Sequence, residues 1–225
     1  TGGRRTTFAT GWAAHDAAQD VIKQMKAKAA KLFETNEEVH YAHGVFSAAG
    51  KKISFAELAG KPGEPIVGRA TVNPRGVGGS FAGNIVDVEV DPETGKTKIL
   101  RFTVVQDAGR AIHPSYVEGQ MQGGSVQGIG WALNEEYFMN ADGVMMNSSL
   151  LDYRMPTALD LPMIEPIIVE VANPDHPYGV RGVGETPIVP PPATVANAIH
   201  AAVGARMTDC PMSPPKVWKA ISEQK

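Results

Sequence analysis

Apolar residues at Ala14, Ala18, Val21, Met25, Ala29 and Leu32 recur every three or four positions, and Lys23, Lys26, Lys28 and Lys31 fall largely outside that stripe. This spacing predicts an amphipathic helix over 14–33. Residues 39–46 and 52–55 read as short strands, and 56–59 as one helical turn. Lys61-Pro-Gly-Glu-Pro65 interrupts regular structure, because proline lacks a backbone donor and glycine loses most entropy on ordering. A sub-boundary is therefore expected near 60–66. Apolar stretches at 85–90 and 99–105 flank Asp91-Pro-Glu-Thr-Gly95, which predicts a hairpin. A Gly-rich helix is expected over 116–134 and a strand over 163–171. Pro190-Pro-Pro192 opens a helix with Val195, Ala198, Ile199 and Ala202 on one face, stopped by Gly204. Pro214-Pro215 precedes a last short helix. The predicted class is α+β, with mixed sheets and packed helices.

Composition narrows the function classes. The 225 residues are 43% hydrophobic and 20% charged, enough to bury a sizeable core. A net charge of −3 argues against a dedicated nucleic-acid binder, which shows a clustered basic surface. Cys210 is the single cysteine, so neither a disulfide framework nor a Cys-rich zinc or iron–sulfur site fits within this chain. His40 and His43 share a predicted strand at an odd separation, which points them to opposite faces, and no metal-ligand set emerges. With no apolar run of spanning length and no signal peptide, a cytoplasmic protein without a membrane span is expected. The chain opens on Thr1, and the stretch to Thr7 reads like the middle of a loop, as in a fragment or a processed subunit. A second reading makes Thr1 an N-terminal nucleophile with its own amine as base.

Three motifs hold candidate chemistry. Tyr178-Gly-Val-Arg-Gly-Val-Gly-Glu185 places three glycines in seven positions, letting backbone approach a bulky ligand before a carboxylate closes the loop. A carboxylate delivered this way serves as a general base; a Gly-rich turn with a solvated Glu185 fits the same residues. Gly119 to Gly130 holds five glycines among Gln120, Gln122 and Gln127, with no charge after Glu118. Those glycines suit close packing against another backbone or against a flat ligand, and the amides offer donors and an acceptor. Arg4-Arg-Thr-Thr7 precedes the first helix, as an anion site or as ordinary capping.

In order along the chain stand Gly3-Arg-Arg-Thr-Thr-Phe-Ala-Thr-Gly11, Val86 to Gly95, Asp107-Ala-Gly-Arg-Ala-Ile-His-Pro114, Gly119-Gln-Met-Gln-Gly-Gly124 and Gly182-Val-Gly-Glu185. Val195-Ala-Asn-Ala-Ile199 and Gly204-Ala-Arg206 close the same pattern. Together they resemble the C-terminal part of the molybdenum-binding subunit of the xanthine dehydrogenase/aldehyde oxidase family, over nearly the whole chain. The resemblance implies that residues 1–225 are the C-terminal portion of a molybdopterin-binding domain. It makes Glu185 the catalytic base of a hydroxylase that oxidises an aldehyde or N-heteroaromatic carbon with water as oxygen source. It makes Gln120, Thr6, Thr7, Gly184 and Arg4 cofactor contacts, although a small serine often stands where this chain has Arg4. Arg181 replaces a more usual lysine and keeps the charge.

The implied cofactor is molybdenum–molybdopterin in its cytosine dinucleotide form. The 2Fe-2S clusters and FAD would sit on an iron–sulfur subunit and an FAD subunit. The N-terminal half of the molybdenum subunit would be a further partner, so the chain alone would be inactive. A hydrolase or acyltransferase using Thr1, and a non-catalytic scaffold half, are the alternatives.

Overall fold

The computed structural model describes residues 6–73 and 78–224, which fall into two compact units. In the first, a π-helical turn Thr6–Thr10 leads into α1, Gly11–Phe33. Met25, Ala29 and Phe33, four residues apart, form the buried face of α1. The burial stripe ends on Phe33 rather than Leu32, which is 45% exposed. Three antiparallel strands follow: β1 (His40–Ala42), β2 (Val45–Ala48) and β3 (Lys51–Ser54). The strand expected over 39–46 is thus two strands. His43 and Gly44 both take positive φ (49° and 77°), giving a two-residue turn whose twist matches the flanking strands. The short helix α2, Phe55–Ala59, starts on a capping box in which Ser54 and Glu57 satisfy each other's backbone N–H. Phe46, Leu58 and Val39 close the core over Met25 and Ala29.

The breaker cluster at 61–65 does not end this unit. Lys28 Nζ donates to Lys61 O (2.8 Å), Gln24 Nε2 to Val67 O (3.0 Å), and Asp20 Oδ2 accepts from Arg69 N (3.1 Å). These ties bind 61–69 to α1, so the unit runs on to residue 73 and the second begins by residue 78.

The second unit is built on the predicted hairpin, β4 (Ala82–Val90) against β5 (Thr97–Asp107), with β6 (Ile164–Val169) parallel to β5 on its other side. The sheet is therefore mixed, in the order β4-β5-β6. Val86, Val88, Phe102, Val104 and Ile164 pack with Met121 and Ile129 of α3 (Pro114–Leu133), Val195 and Ile199 of α4 (Pro191–Val203) and Val217 of α5 (Pro214–Ser222). Gly204 ends α4 with φ at 76°, as expected from its position. A register shift between Asp87 and Val88 pairs them with Arg101 and Ile99, skipping Leu100, so Ile99 and Phe102 both reach the core. The connection 134–163 leaves Tyr137, Leu150, Leu151, Leu159 and Met163 exposed, the last three at 93%, 98% and 85%. Among the described residues no helix is long and apolar enough to cross a membrane.

Candidate active site

Where β5 ends, the chain is stitched to the Gly-rich loop 178–185. Gly109 bridges Val180, Arg110 N donates to Gly179 O (2.9 Å), and Arg181 N donates to Ala108 O (3.0 Å). Gly109 has φ at 62°, and a Cβ there would strike Gly179 O, so the close approach requires glycine. Asp107 anchors the same corner. Its Oδ1 accepts from Gly109 N (2.9 Å) and Val171 N (3.1 Å), and its Oδ2 lies 3.1 Å from Arg181 Nε. Arg181 Nε also donates to Val171 O (3.0 Å) and Nη1 to Gly79 O (2.7 Å). With 14% and 13% of their side chains exposed, Arg181 and Asp107 form an ion pair largely withdrawn from water.

Beyond Arg181 three consecutive carbonyls are bonded by side chains. Ser80 Oγ donates to Gly182 O (2.7 Å), Gln106 Nε2 lies 3.3 Å from Gly182 O and 3.1 Å from Val183 O, and Gln120 Nε2 donates to Gly184 O (2.9 Å). Glu185 follows, exposed, with no side-chain hydrogen bond among the described residues, so both carboxylate oxygens are open to an incoming proton. A 3-10 turn, Thr186–Ile188, then buries Pro187 and feeds α4.

The glycines of α3 divide into two sets. A Cβ on Gly128 would sit 2.7 Å from both Ile188 O and Pro191 Cγ, so this glycine lets α3 press on the segment after Glu185. Gly119 and Gly123 have nothing within 4 Å of a built Cβ and share an exposed face with Tyr116, Gln120 and Gln127. Close packing against another backbone thus accounts for Gly128, whereas Gly119 and Gly123 stand on an open face.

Of the residues singled out in the sequence, Gln120, Gly184 and Glu185 come together. Thr6 and Thr7 belong to the other unit and are exposed on the π-helical turn. Arg4 and Thr1 lie outside the described residues. No His, Cys, Asp or Glu grouping among the described residues could hold a metal ion directly. Ser80, Gln106 and the Asp107–Arg181 pair were not among the sequence candidates. Gln106 did leave a signal: it stands at an inward strand position in step with Phe102 and Val104, where a polar side chain needs a partner.

Residues 1–162 match the model of the molybdopterin cofactor-binding domain. The chain is 32% identical over 95% of its length to the gamma subunit of the 6-hydroxypseudooxynicotine dehydrogenase complex of Paenarthrobacter nicotinovorans, covering 29% of that protein. It is 40% identical over 67% of its length to the putative xanthine dehydrogenase molybdenum-binding subunit of Escherichia coli, covering 20% of it. Among solved structures, the Cu,Mo-CO dehydrogenase superposes over 100% of this chain and 30% of its own, with a TM-score of 0.86 and 28% identity. The chain thus spans less than a third of these relatives.

Proposed function

Because this chain belongs to the molybdenum hydroxylase family, as part of its molybdenum-binding subunit, we propose that it supplies the catalytic base and part of the cofactor cradle of a hydroxylase. The enzyme would oxidise an aldehyde or N-heteroaromatic carbon, take its oxygen from water and pass electrons to iron–sulfur and FAD partners. The observation that carries this reading is Glu185: an exposed carboxylate, unpaired among the described residues, closing a loop whose three preceding carbonyls are all held.

The residues beside Glu185 suit a molybdopterin group. Gln120 spends one N–H on Gly184 O and keeps an amide oxygen without a partner among the described residues. Gly119 and Gly123 add no side chain to the face they share with Tyr116, Gln120 and Gln127, which leaves room there for a flat polar ring system. Gln120 and the Gly184 backbone would hold the group, in its cytosine dinucleotide form. Once bound, it supplies the two-electron redox chemistry, which no side chain of this protein can perform. The protein's own step is proton transfer: a Glu185 carboxylate oxygen accepts a proton as the oxygen of water turns nucleophile. Gln120 and the stitched loop orient that carboxylate. The apolar side chains left exposed over 137–163 support a partner polypeptide covering them, the remaining part of a molybdenum subunit in this reading.

Glu185→Gln in the assembled enzyme tests the assignment. It keeps shape and hydrogen-bonding capacity but accepts no proton, so turnover should fall by about 10²–10⁴-fold with molybdenum content unchanged. Near-normal reduction by substrate in a single turnover of the fully loaded variant removes Glu185 from the mechanism. If Thr1→Ala abolished activity and Glu185→Gln did not, the N-terminal nucleophile would be the correct reading. A scaffold half predicts that neither change matters.

A further inference from the structure

We propose that Gln106, seconded by Ser80, is a positioning residue for Glu185; this rests on the reading of Glu185 as the base. Gln106 is fully buried on β5, facing the same way as Phe102 and Val104. A valine or methionine would fill such a place without desolvating an amide. The glutamine is more costly still, because its buried Oε1 has no hydrogen-bond partner among the described residues. What the amide obtains is contact with the loop. Its Nε2 reaches Gly182 O (3.3 Å), Val183 O (3.1 Å) and Ser80 Oγ (3.4 Å).

Ser80 Oγ meets Gly182 O at 2.7 Å and accepts from Thr186 Oγ1 at 3.1 Å, so one hydroxyl links the residues on both sides of Glu185. Among the described residues no backbone N–H pairs with the carbonyls of Gly182, Val183 or Gly184. The loop's shape immediately before the base is therefore set by side chains, and Gln106 is the partner of Val183 O. Glycines at 182 and 184 leave that stretch pliable, and a base works only within hydrogen-bond reach of its proton. Displacement of such a group by about 1 Å costs on the order of 100-fold in rate.

The test uses the assembled, cofactor-loaded enzyme with Gln106→Met, which keeps volume and removes the donors, and with Ser80→Ala. Amide hydrogen exchange over 179–189 reads the loop, through Arg181 N–H on Ala108 O and Ile188 N–H on Glu185 O. We expect exchange there to quicken about 10-fold while β4 and β5 keep their rates. We also expect kcat to fall on the order of 10-fold, with KM and molybdenum content near the parent's. Ser80→Ala should act in the same direction by less, and it decides the matter if Gln106→Met does not fold.

A double-mutant cycle isolates the route. If Gln106 acts through Glu185, Gln106→Met adds little to the turnover loss of Glu185→Gln, whereas a general structural effect adds in full. Unchanged exchange in folded variants, or a fully additive cycle on an impaired Glu185→Gln, overturns the proposal and leaves the base intact. A fully active Glu185→Gln instead overturns the base, and with it the catalytic part of this assignment, whatever the exchange shows about the loop.

Discussion

The two sets of glycines on α3 predict opposite outcomes for one substitution. Replacing glycine by alanine inside a helix relieves backbone entropy worth about 1 kcal/mol. At Gly123 nothing lies within 4 Å of the added methyl, so the full gain should appear. At Gly128 the methyl would sit 2.7 Å from Ile188 O and Pro191 Cγ and 2.9 Å from Pro191 Cβ. Those distances are well inside the ~3.5 Å at which such atoms rest, and both Ile188 and Pro191 are fixed by backbone or ring. Overpacking of this kind costs about 1–3 kcal/mol, which outweighs the helix gain. Gly128→Ala should therefore lose about 1 kcal/mol while Gly123→Ala gains about as much, a spread of about 2 kcal/mol. For a unit of this size that separates the two melting temperatures by roughly 6 °C. Tryptophan fluorescence follows the unfolding, since Trp131 lies on α3 itself. Equal shifts of the same sign would refute the close packing of α3 on the 186–191 segment. The same pair of variants probes the proposed cofactor face: Gly123→Ala should lower molybdenum content in the assembled enzyme despite its greater stability. Undiminished content would move the cofactor off that face.

Asp107→Asn retains an acceptor for Gly109 N and Val171 N but leaves the Arg181 guanidinium, 14% exposed, without its counter-charge. Fully buried pairs cost about 3–5 kcal/mol to break, so about 2 kcal/mol is expected here, measured by urea unfolding, and a change below about 0.5 kcal/mol would show the pair to be dispensable. Tyr153 gives a pH signature. Its hydroxyl donates to Glu135 Oε2 (2.8 Å), and that bond to a carboxylate pushes the phenol up from 10.0 to about 12. Since the folded value is the higher one, the stabilisation is fully present below pH 10 and is lost as pH rises from 10 to about 12. Tyr153→Phe should remove that alkaline loss, and an ultraviolet titration in which Tyr153 ionises near 10 would contradict the bond.

Elements with a strong period were legible in the sequence. The hairpin β4–β5 needed only two apolar stretches around a Pro–Gly turn, and α4 needed only its opening prolines and closing Gly204. Where two opposed signals overlapped, the reading slipped. Residues 39–46 are apolar enough for one strand, yet His43 and Gly44 turn the chain, and nothing in periodicity marks a histidine that accepts positive φ. The breaker cluster at 61–65 has the composition of a linker, but hydrogen bonds from Gln24 and Lys28 to the backbone oxygens of Val67 and Lys61 tie 61–67 to α1. Such bonds depend on three-dimensional approach and leave no local trace.

The Gly-rich loop 178–185 shows the same division more sharply. Its glycines and Glu185 are contiguous, so the pattern is visible. The groups that fix its shape are not, because Ser80, Gln106 and Gln120 stand 102, 76 and 64 residues away from the carbonyls they bind. The family resemblance implies a cofactor contact for Gln120; in the fold its amide braces Gly184, the residue before the proposed base Glu185. Gln106 could have been found by a different argument. Once 99–105 is recognised as a strand, period-2 alternation carries Phe102, Val104 and residue 106 to one face. A glutamine at that position must either be exposed or have partners worth its desolvation. In this protein it is fully buried and half satisfied, and the half that is satisfied points at the loop of Glu185. A polar residue out of place in a core pattern is thus a guide to the site from behind, where motif spacing sees only its front.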